Sequence, residues 1–214
     1  MSVDPSLPGR LDALAAGWTA LSRLLLSPPS DDTLAQVRNP ALLDQWPLSG
    51  GTTDRGKALL LQSAEAGEDA GAVERDFARL FVGPAKLTAP PWESVHRSRE
   101  RLLFEAETFQ VREWYARYGL EAPRLNREPD DHIALELEFL ATLAERALTA
   151  LEEDREEDAQ ELVAAHQAFL AEHVLPWAPG LMDQIRDNAE TFFLRGVAEL
   201  GSGALTAAEF LLPR

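Results

Sequence analysis

Residues 133–151, IALELEFLATLAERALTAL, constrain the fold more than any other stretch of this sequence. Apolar residues recur there at helical spacing on two sides of the segment. Ile133 and Leu137 lie on one side, and Leu135 and Phe139 lie on another. A helix that is apolar on more than one side is surrounded by other elements. The segment therefore predicts the central helix of a bundle.

The other helical patterns are separated by prolines and glycines. An amphipathic helix starts near Leu11 and is stopped by Pro28 and Pro29. Ser30 is placed to cap a short helix after them. Residues 39–53 contain two prolines and a Gly-Gly pair, and they are predicted to form a loop. Further helices are predicted near residues 54–66, 72–82, 94–118, 158–175 and 181–199, with a short one near 205–212.

Polar residues at the predicted helix starts can act as caps. Ser94 is the predicted N-cap of the helix over 94–118, and Asp130 is the predicted N-cap of the central helix. The acidic tract EEDREED at 152–158 is predicted to be a solvated turn or the start of a helix.

The fold class predicted is all-α. No stretch alternates polar and apolar residues as a half-buried strand does, and there is no internal repeat. The chain has 214 residues, enough for one substantial core. We expect a single compact bundle of about eight to ten helices, forming one domain over residues 1–214.

The net charge limits the classes of partner that the protein is expected to bind. The sequence has 36 acidic and 20 basic residues, a formal net charge of −16. Such a surface repels phosphate backbones and anionic lipid, so neither nucleic-acid binding nor stable membrane insertion is expected. It attracts a cationic partner.

Several absences indicate a cytoplasmic protein. The sequence contains no cysteine, which excludes disulfides and thiolate metal sites. The N-terminus has no basic region leading into a long apolar core, as a secretory signal does. No uninterrupted apolar run is long enough to cross a bilayer.

The carboxylate and histidine pairs could in principle hold a metal. Glu93 and His96 form one Glu-x-x-His, and His132 and Glu136 are four residues apart on one helix face. A carboxylate-bridged di-iron bundle needs two Glu-x-x-His motifs and two further glutamates. The HExxH zinc motif is absent. A structural pair at a helix N-terminus is the favoured interpretation of His132 and Glu136.

Other catalytic motifs are also missing from the sequence. There is no G-x-S-x-G turn for a serine nucleophile and no phosphate-binding glycine loop. We therefore predict that the protein is not an enzyme and uses no cofactor of its own.

Two proline-rich connectors favour binding instead. GPAKLTAPPWESVH at 83–96 and GLEAPRLNREPDD at 119–131 both lead into predicted helix starts that carry carboxylates. Prolines restrict such loops before a ligand arrives, which lowers the entropy lost on binding. Aromatic, aliphatic and carboxylate groups together suit a peptide with arginines followed by apolar residues. Alternatively, Trp92 pins its loop to the core, and the aspartates cap a helix.

Three segments resemble one known family. ERDFARLFVGPAKLTAPPWESVH at 74–96, REPDDHIALELEFLA at 127–141 and FLAEHVLPWAPGLMDQIRDNAETFFLRGVAEL at 169–200 are similar to signatures of the TorD/DmsD family of redox-enzyme maturation chaperones. The likeness covers most of the chain from about residue 70. The family often has Tyr at the position of His96, so that residue is assigned no role.

The resemblance implies an all-helical cytoplasmic chaperone. Such a protein binds the twin-arginine signal peptide of a molybdopterin-containing oxidoreductase subunit, delays its export and assists cofactor insertion and assembly. It could also contact the mature part of that subunit. The resemblance and the carboxylates of the two connectors together predict the residues that bind the signal peptide. These are Leu80, Phe81, Pro91, Trp92, Glu93, Glu128, Asp130, Asp131 and His132.

Some alternatives stay open at this point. One is a metalloenzyme that uses Glu93, His96, His132 and Glu136. Another is an acidic helical adaptor for a basic partner, with both connectors purely structural. Monomer and helix-swapped dimer are both possible, with the connector at 119–130 as hinge. Binding of guanine nucleotide or molybdenum cofactor, and the identity of the client enzyme, are also left open.

Overall fold

The computed structural model of the protein describes residues 7–84, 86–98, 100, 102–123 and 128–212. Within these residues there are eleven α-helices, nine of them with seven or more residues, two π-helical turns and no strand. The elements in chain order are α1 (Leu7–Leu26), α2 (Asp31–Val37), α3 (Pro40–Asp44), α4 (Gly51–Glu65), α5 (Ala70–Phe77), π1 (Ala78–Val82), α6 (Glu93–Arg97), α7 (Ala106–Arg117), α8 (Ile133–Glu152), α9 (Glu156–Phe169), π2 (Leu170–Val174), α10 (Ala178–Asn188) and α11 (Phe192–Leu211). The predicted all-α fold class is confirmed.

Helix α8 lies at the centre, as its two-sided apolar pattern predicted. It packs along α1 and against α9, while α11 packs along α4 and α10. Ile133, Leu137 and Phe139 are all buried, and none is more than 2% exposed. The helices α4 and α11 approach closely at Gly56, where a Cβ atom would stand 2.9 Å from the backbone nitrogen of Leu200. Among the described residues, no helix is both long enough and apolar enough to span a bilayer.

The predicted continuous helix over 94–118 is wrong. Helix α6 ends at Arg97 because Ser98 adopts extended backbone angles (φ −71°, ψ 148°), and α7 begins only at Ala106. Leu103 and Phe104, which helical spacing places in the predicted buried stripe of that helix, are 42% and 39% exposed. Phe104 has a φ of 61°, a left-handed conformation that interrupts a helix. Helical spacing alone could not reveal that this part of the stripe faces outward.

The predicted helices over 181–199 and 205–212 are also wrong. The chain breaks at residues 189–191, and one helix, α11, then runs to Leu211. One carboxylate oxygen of Asp76 accepts hydrogen bonds from the backbone N–H groups of Glu190 (2.9 Å) and Thr191 (2.8 Å). The Thr191 hydroxyl accepts from the N–H of Leu194 and caps α11. A residue more than a hundred positions away thus sets where α11 begins.

Smaller corrections concern loops and caps. Residues 39–53 are not all loop, since Asn39 caps the short helix α3 and α4 already starts at Gly51. The N-cap of α6 is Trp92 rather than Ser94. His132, rather than Asp130, caps α8. By contrast, Ser30 caps α2 as predicted, and α9 starts within the acidic tract.

Candidate functional site

The two proline-rich connectors lie side by side. The N–H of Glu93 donates to the carbonyl of Asp131 (3.0 Å), and the N–H of Ile133 donates to the carbonyl of Pro91 (2.8 Å). These bonds form an antiparallel bridge between Trp92 and His132. The two rings meet edge to face, with centroids 5.9 Å apart. The contact between connectors that the sequence hypothesis required is therefore present.

A groove runs along this bridge, and we call it the Trp92 groove. Its volume is about 590 Å³. It is lined by Leu26, Ser27, Phe77, Phe81, Val82, Pro91, Trp92, Ala122, Pro123, Glu128, Pro129, His132 and Leu135. Two of these aliphatic side chains face solvent, Val82 at 68% and Leu26 at 53% exposed. Glu128 is also exposed. The groove thus combines an apolar wall with one accessible carboxylate.

The nine predicted binding residues fall into two groups. Those that line the groove are Phe81, Pro91, Trp92, Glu128 and His132. Those that lie buried outside its lining are Leu80, Glu93, Asp130 and Asp131, each 0% exposed. Within the first group, Phe81 and Pro91 are buried, whereas Trp92, Glu128 and His132 retain accessible surface.

The buried carboxylate of Asp131 stabilises the bridge between the connectors. One carboxylate oxygen accepts from the N–H of Ser94 and the other from the hydroxyl of Thr108, both at 2.7 Å. These bonds join the start of α8 to α6 and α7. Because the carboxylate is fully buried and bonded on both oxygens, it positions the elements that carry Trp92.

Asp130 is neutralised within the chain. Its carboxylate pairs with the guanidinium of Arg112 at 2.6 Å. The hydroxyl of Tyr115 donates to its backbone carbonyl at 3.2 Å. The intramolecular ion pair with Arg112 thus engages the Asp130 carboxylate, which the sequence analysis had predicted to bind an arginine of the ligand.

Glu93 belongs to a buried polar cluster beneath the groove. It forms an ion pair with Arg97, and its other oxygen lies 3.0 Å from Nδ1 of His173. Beside it, Glu136 accepts from the indole N–H of Trp177 at 3.2 Å. Burial, reinforced by the nearby charge of Glu93, raises the pKa of Glu136 well above its usual value.

These pairs are not arranged as a metal site. Among the described residues, no group of three or more His, Asp or Glu side chains could hold a metal ion. His96 instead places its Nε2 2.7 Å from the carbonyl oxygen of Pro90, and its ring lies 5.0 Å from that of Trp177.

His132 acts in the groove as a neutral ring. Its Nδ1 accepts from the N–H of Ala134 at 3.1 Å, so that nitrogen carries no proton. Burial lowers the pKa of His132 to about 4. The side chain therefore caps α8, as the structural interpretation of this residue predicted. It also adds an uncharged aromatic wall to the groove at neutral pH.

Sequence reasoning missed part of the groove wall. The turn π1 and Gly83, which has a φ of 96°, reverse the chain so that Phe81 lines the groove while Val82 projects into solvent. Leu26, the last residue of α1, forms the opposite rim. The apolar run over residues 80–82 indicated that Val82 lies beside the groove, whereas nothing in the sequence indicated Leu26.

Comparisons with known proteins decide the family. The family profile described as nitrate reductase delta subunit matches residues 51–183, which contain both connectors. The Tat proofreading chaperone DmsD of Salmonella typhi is 30% identical over 194 residues, covering 87% of this chain and 85% of the relative. The chain belongs to the TorD/DmsD family of redox-enzyme maturation chaperones.

Further TorD/DmsD similarity is partial. The chaperone protein TorD of Aliivibrio salmonicida is 31% identical over 117 residues, covering 55% of this chain and 53% of that protein. A crystal structure described as a redox enzyme maturation protein of Archaeoglobus fulgidus covers 78% of this chain and 96% of its own, with 23% identity and a TM-score of 0.41, too low to bear on the assignment. The relatives are named as chaperones, so the chain is a maturation chaperone and not an enzyme.

Proposed function

We propose that this chaperone binds the twin-arginine signal peptide of a molybdopterin-containing oxidoreductase subunit in the Trp92 groove. It does so in the cytoplasm, before export, and thereby delays export while cofactor insertion and assembly proceed. The names of the relatives support a Tat substrate as the client. The observation that carries the site assignment is the Trp92–His132 bridge, which joins the two connectors into one groove.

The groove's chemistry suits such a peptide. Glu128, the accessible carboxylate, can accept guanidinium N–H groups, and the face of Trp92 can stack on a guanidinium. Val82 and Leu26 offer exposed apolar surface to the residues directly after the arginines, and Phe81 is buried behind them. In this proposal Glu93, Asp130 and Asp131 act indirectly by holding the walls in place, with buried Leu80 behind them.

The negative net charge of the chaperone favours its association with a cationic signal peptide. The net charge of −16 attracts a cationic segment over a distance set by salt screening. Binding should weaken at high salt but persist, since the apolar contacts are not screened. A monomeric or helix-swapped state stays a prediction, because residues 124–127 of the proposed hinge lie outside the described residues.

Removing the indole should expose the site's dependence on Trp92. We expect Trp92→Ala to weaken binding of a fluorescent twin-arginine peptide by about tenfold or more, as truncation of a central aromatic anchor does. Val82→Ser should weaken it by about threefold because little apolar area is lost. Fluorescence anisotropy titrations at low and high salt measure both.

The matched control is Phe210→Ser. Phe210 is 76% exposed on α11 and does not line the groove, so its replacement should leave affinity unchanged. Thermal melts of all three variants separate lost affinity from lost folding. Equal affinity of well-folded Trp92→Ala and wild-type protein would remove this groove from the proposal.

A further inference from the structure

A second groove lies beside the first and shares one wall with it. This depression, which we call the His96 groove, has a volume of about 680 Å³. It is lined by Lys86, Leu87, Thr88, Pro90, Trp92, Val95, His96, Leu103, Gln184 and Asn188. Trp92 also lines the Trp92 groove, so the two depressions meet at one half-buried indole.

The surface of the His96 groove suits an uncharged polypeptide. Leu87, Pro90 and Val95 are half-buried and contribute apolar area, and Leu103 is 42% exposed at the rim. The bond between His96 and the Pro90 carbonyl holds this wall before any ligand arrives. A preformed wall lowers the ordering cost of binding.

Gln184 points to the kind of group that binds there. Its Oε1 is buried and has no hydrogen-bond partner within the described residues. A buried acceptor without a donor is costly, by about 1–3 kcal/mol. Because the oxygen itself is enclosed, the half-buried Gln184 side chain would rotate to accept the missing hydrogen bond from the backbone N–H of a bound extended chain. An apolar small molecule would leave it unsatisfied.

The charges at the two grooves differ in sign. Among the described residues, Glu128 is the charged residue that lines the Trp92 groove, whereas Lys86 is the charged residue that lines the His96 groove. A cationic segment therefore fits the first groove, and an uncharged segment fits the second. Because both grooves are lined by Trp92, one continuous extended peptide can pass from one to the other.

We infer that the client's polypeptide crosses Trp92 and continues into the His96 groove. Its arginines and the residues directly after them occupy the Trp92 groove, and the rest of the apolar stretch occupies the His96 groove. This inference rests on the proposed function and adds a second subsite to it. Trp92 then contacts both parts of the client.

Peptides of different length test the second subsite. The short peptide has eight residues, with two adjacent arginines followed by phenylalanine and leucine. The long peptide extends it at the C-terminus by eight residues of leucine and alanine, and a third carries a glycine–serine extension of equal length. We expect wild-type protein to bind the long peptide about tenfold more tightly than the other two.

Two variants and one control test whether the additional affinity for the long peptide arises in the His96 groove. Leu103→Ser should weaken only the long peptide, by about threefold, whereas Leu102→Ser should weaken none, because Leu102 is 49% exposed but does not line the groove. Gln184→Met removes the unpaired acceptor, so it should leave the thermal midpoint unchanged or higher. It should nevertheless weaken the long peptide by about fivefold, the worth of one hydrogen bond.

The outcomes separate the two proposals. Equal affinity for the three peptides, or equal weakening of short and long peptides by Leu103→Ser, overturns the second subsite and leaves the Trp92 groove intact. Failure of every peptide to bind rejects the proposed function itself, and the second subsite with it.

Discussion

Replacing Asp131 with alanine is expected to lower the free energy of unfolding by about 2–5 kcal/mol, since each buried donor left unsatisfied costs about 1–3 kcal/mol. Its carboxylate is 0% exposed and bonded to the Ser94 N–H and the Thr108 hydroxyl. Truncation leaves both donors buried without an acceptor and adds a cavity between α6, α7 and α8. Urea denaturation of wild-type and variant protein, followed by circular dichroism, measures the loss.

Glu128→Gln is the matched control for Asp131. Because Glu128 is exposed, the free energy of unfolding of the Glu128→Gln variant should stay within about 0.5 kcal/mol of the wild-type value. Its affinity for the short arginine peptide should nevertheless fall several-fold if the accessible carboxylate contacts the arginines. A fully stable Asp131→Ala protein that fails to bind the peptide would instead make Asp131 a direct ligand.

Trp92→Ala and Glu128→Gln together distinguish a chaperone groove from a plain acidic adaptor. If both connectors were purely structural, Trp92→Ala and Glu128→Gln would alter stability or nothing at all. The proposed groove predicts that they alter peptide affinity at nearly constant stability.

Acidification should destabilise the protein through His166. The residue is 0% exposed, and its Nε2 accepts from the indole N–H of Trp18 at 3.2 Å. Burial lowers the pKa of His166 to about 4, against about 6.5 in the unfolded chain. Between these values the unfolded state binds more protons. Stability is therefore complete above about pH 6.5 and falls as the pH drops towards 4, by about 3 kcal/mol for this residue.

His166→Gln isolates that contribution. Glutamine keeps an acceptor for Trp18 but does not titrate, so the variant should lose much less stability between pH 6.5 and 4. His132, whose pKa is also lowered to about 4, contributes in the same direction. Glu136 contributes in the opposite direction, since its raised pKa makes the folded state bind the extra proton.

The contributions of His132 and Glu136 to the pH dependence of stability are the same in the variant and the wild type, so they cancel in the comparison. Denaturation midpoints at half-unit pH intervals provide the measurement. Parallel pH profiles for the two proteins would show that His166 titrates normally in the fold.

Local signals predicted much of the helical framework. The two-sided apolar pattern of α8 identified the central helix, and Ser30 identified the start of α2, because both depend on residues within one or two turns. The predicted helix boundaries failed where distant residues intervene. The start of α11 depends on Asp76, and Leu103 lies in the connection between α6 and α7, where it is 42% exposed.

The site followed the same division. Helix starts, prolines and Trp92 marked both connectors, and the family resemblance pointed to their shared role. The burial of Glu93, Asp130 and Asp131 was not foreseeable from their positions. Arg112, Thr108 and His173 are their partners, and these come from other helices.

By itself, the sequence determined an acidic helical chain with one central apolar helix and two stiff connectors, since helical spacing and proline geometry are local properties. Only the tertiary structure decided which carboxylate is accessible, with Glu128 exposed and Asp131 enclosed. It also placed Trp92 between two grooves. Burial and pairing depend on segments distant in sequence, so no local pattern encodes them.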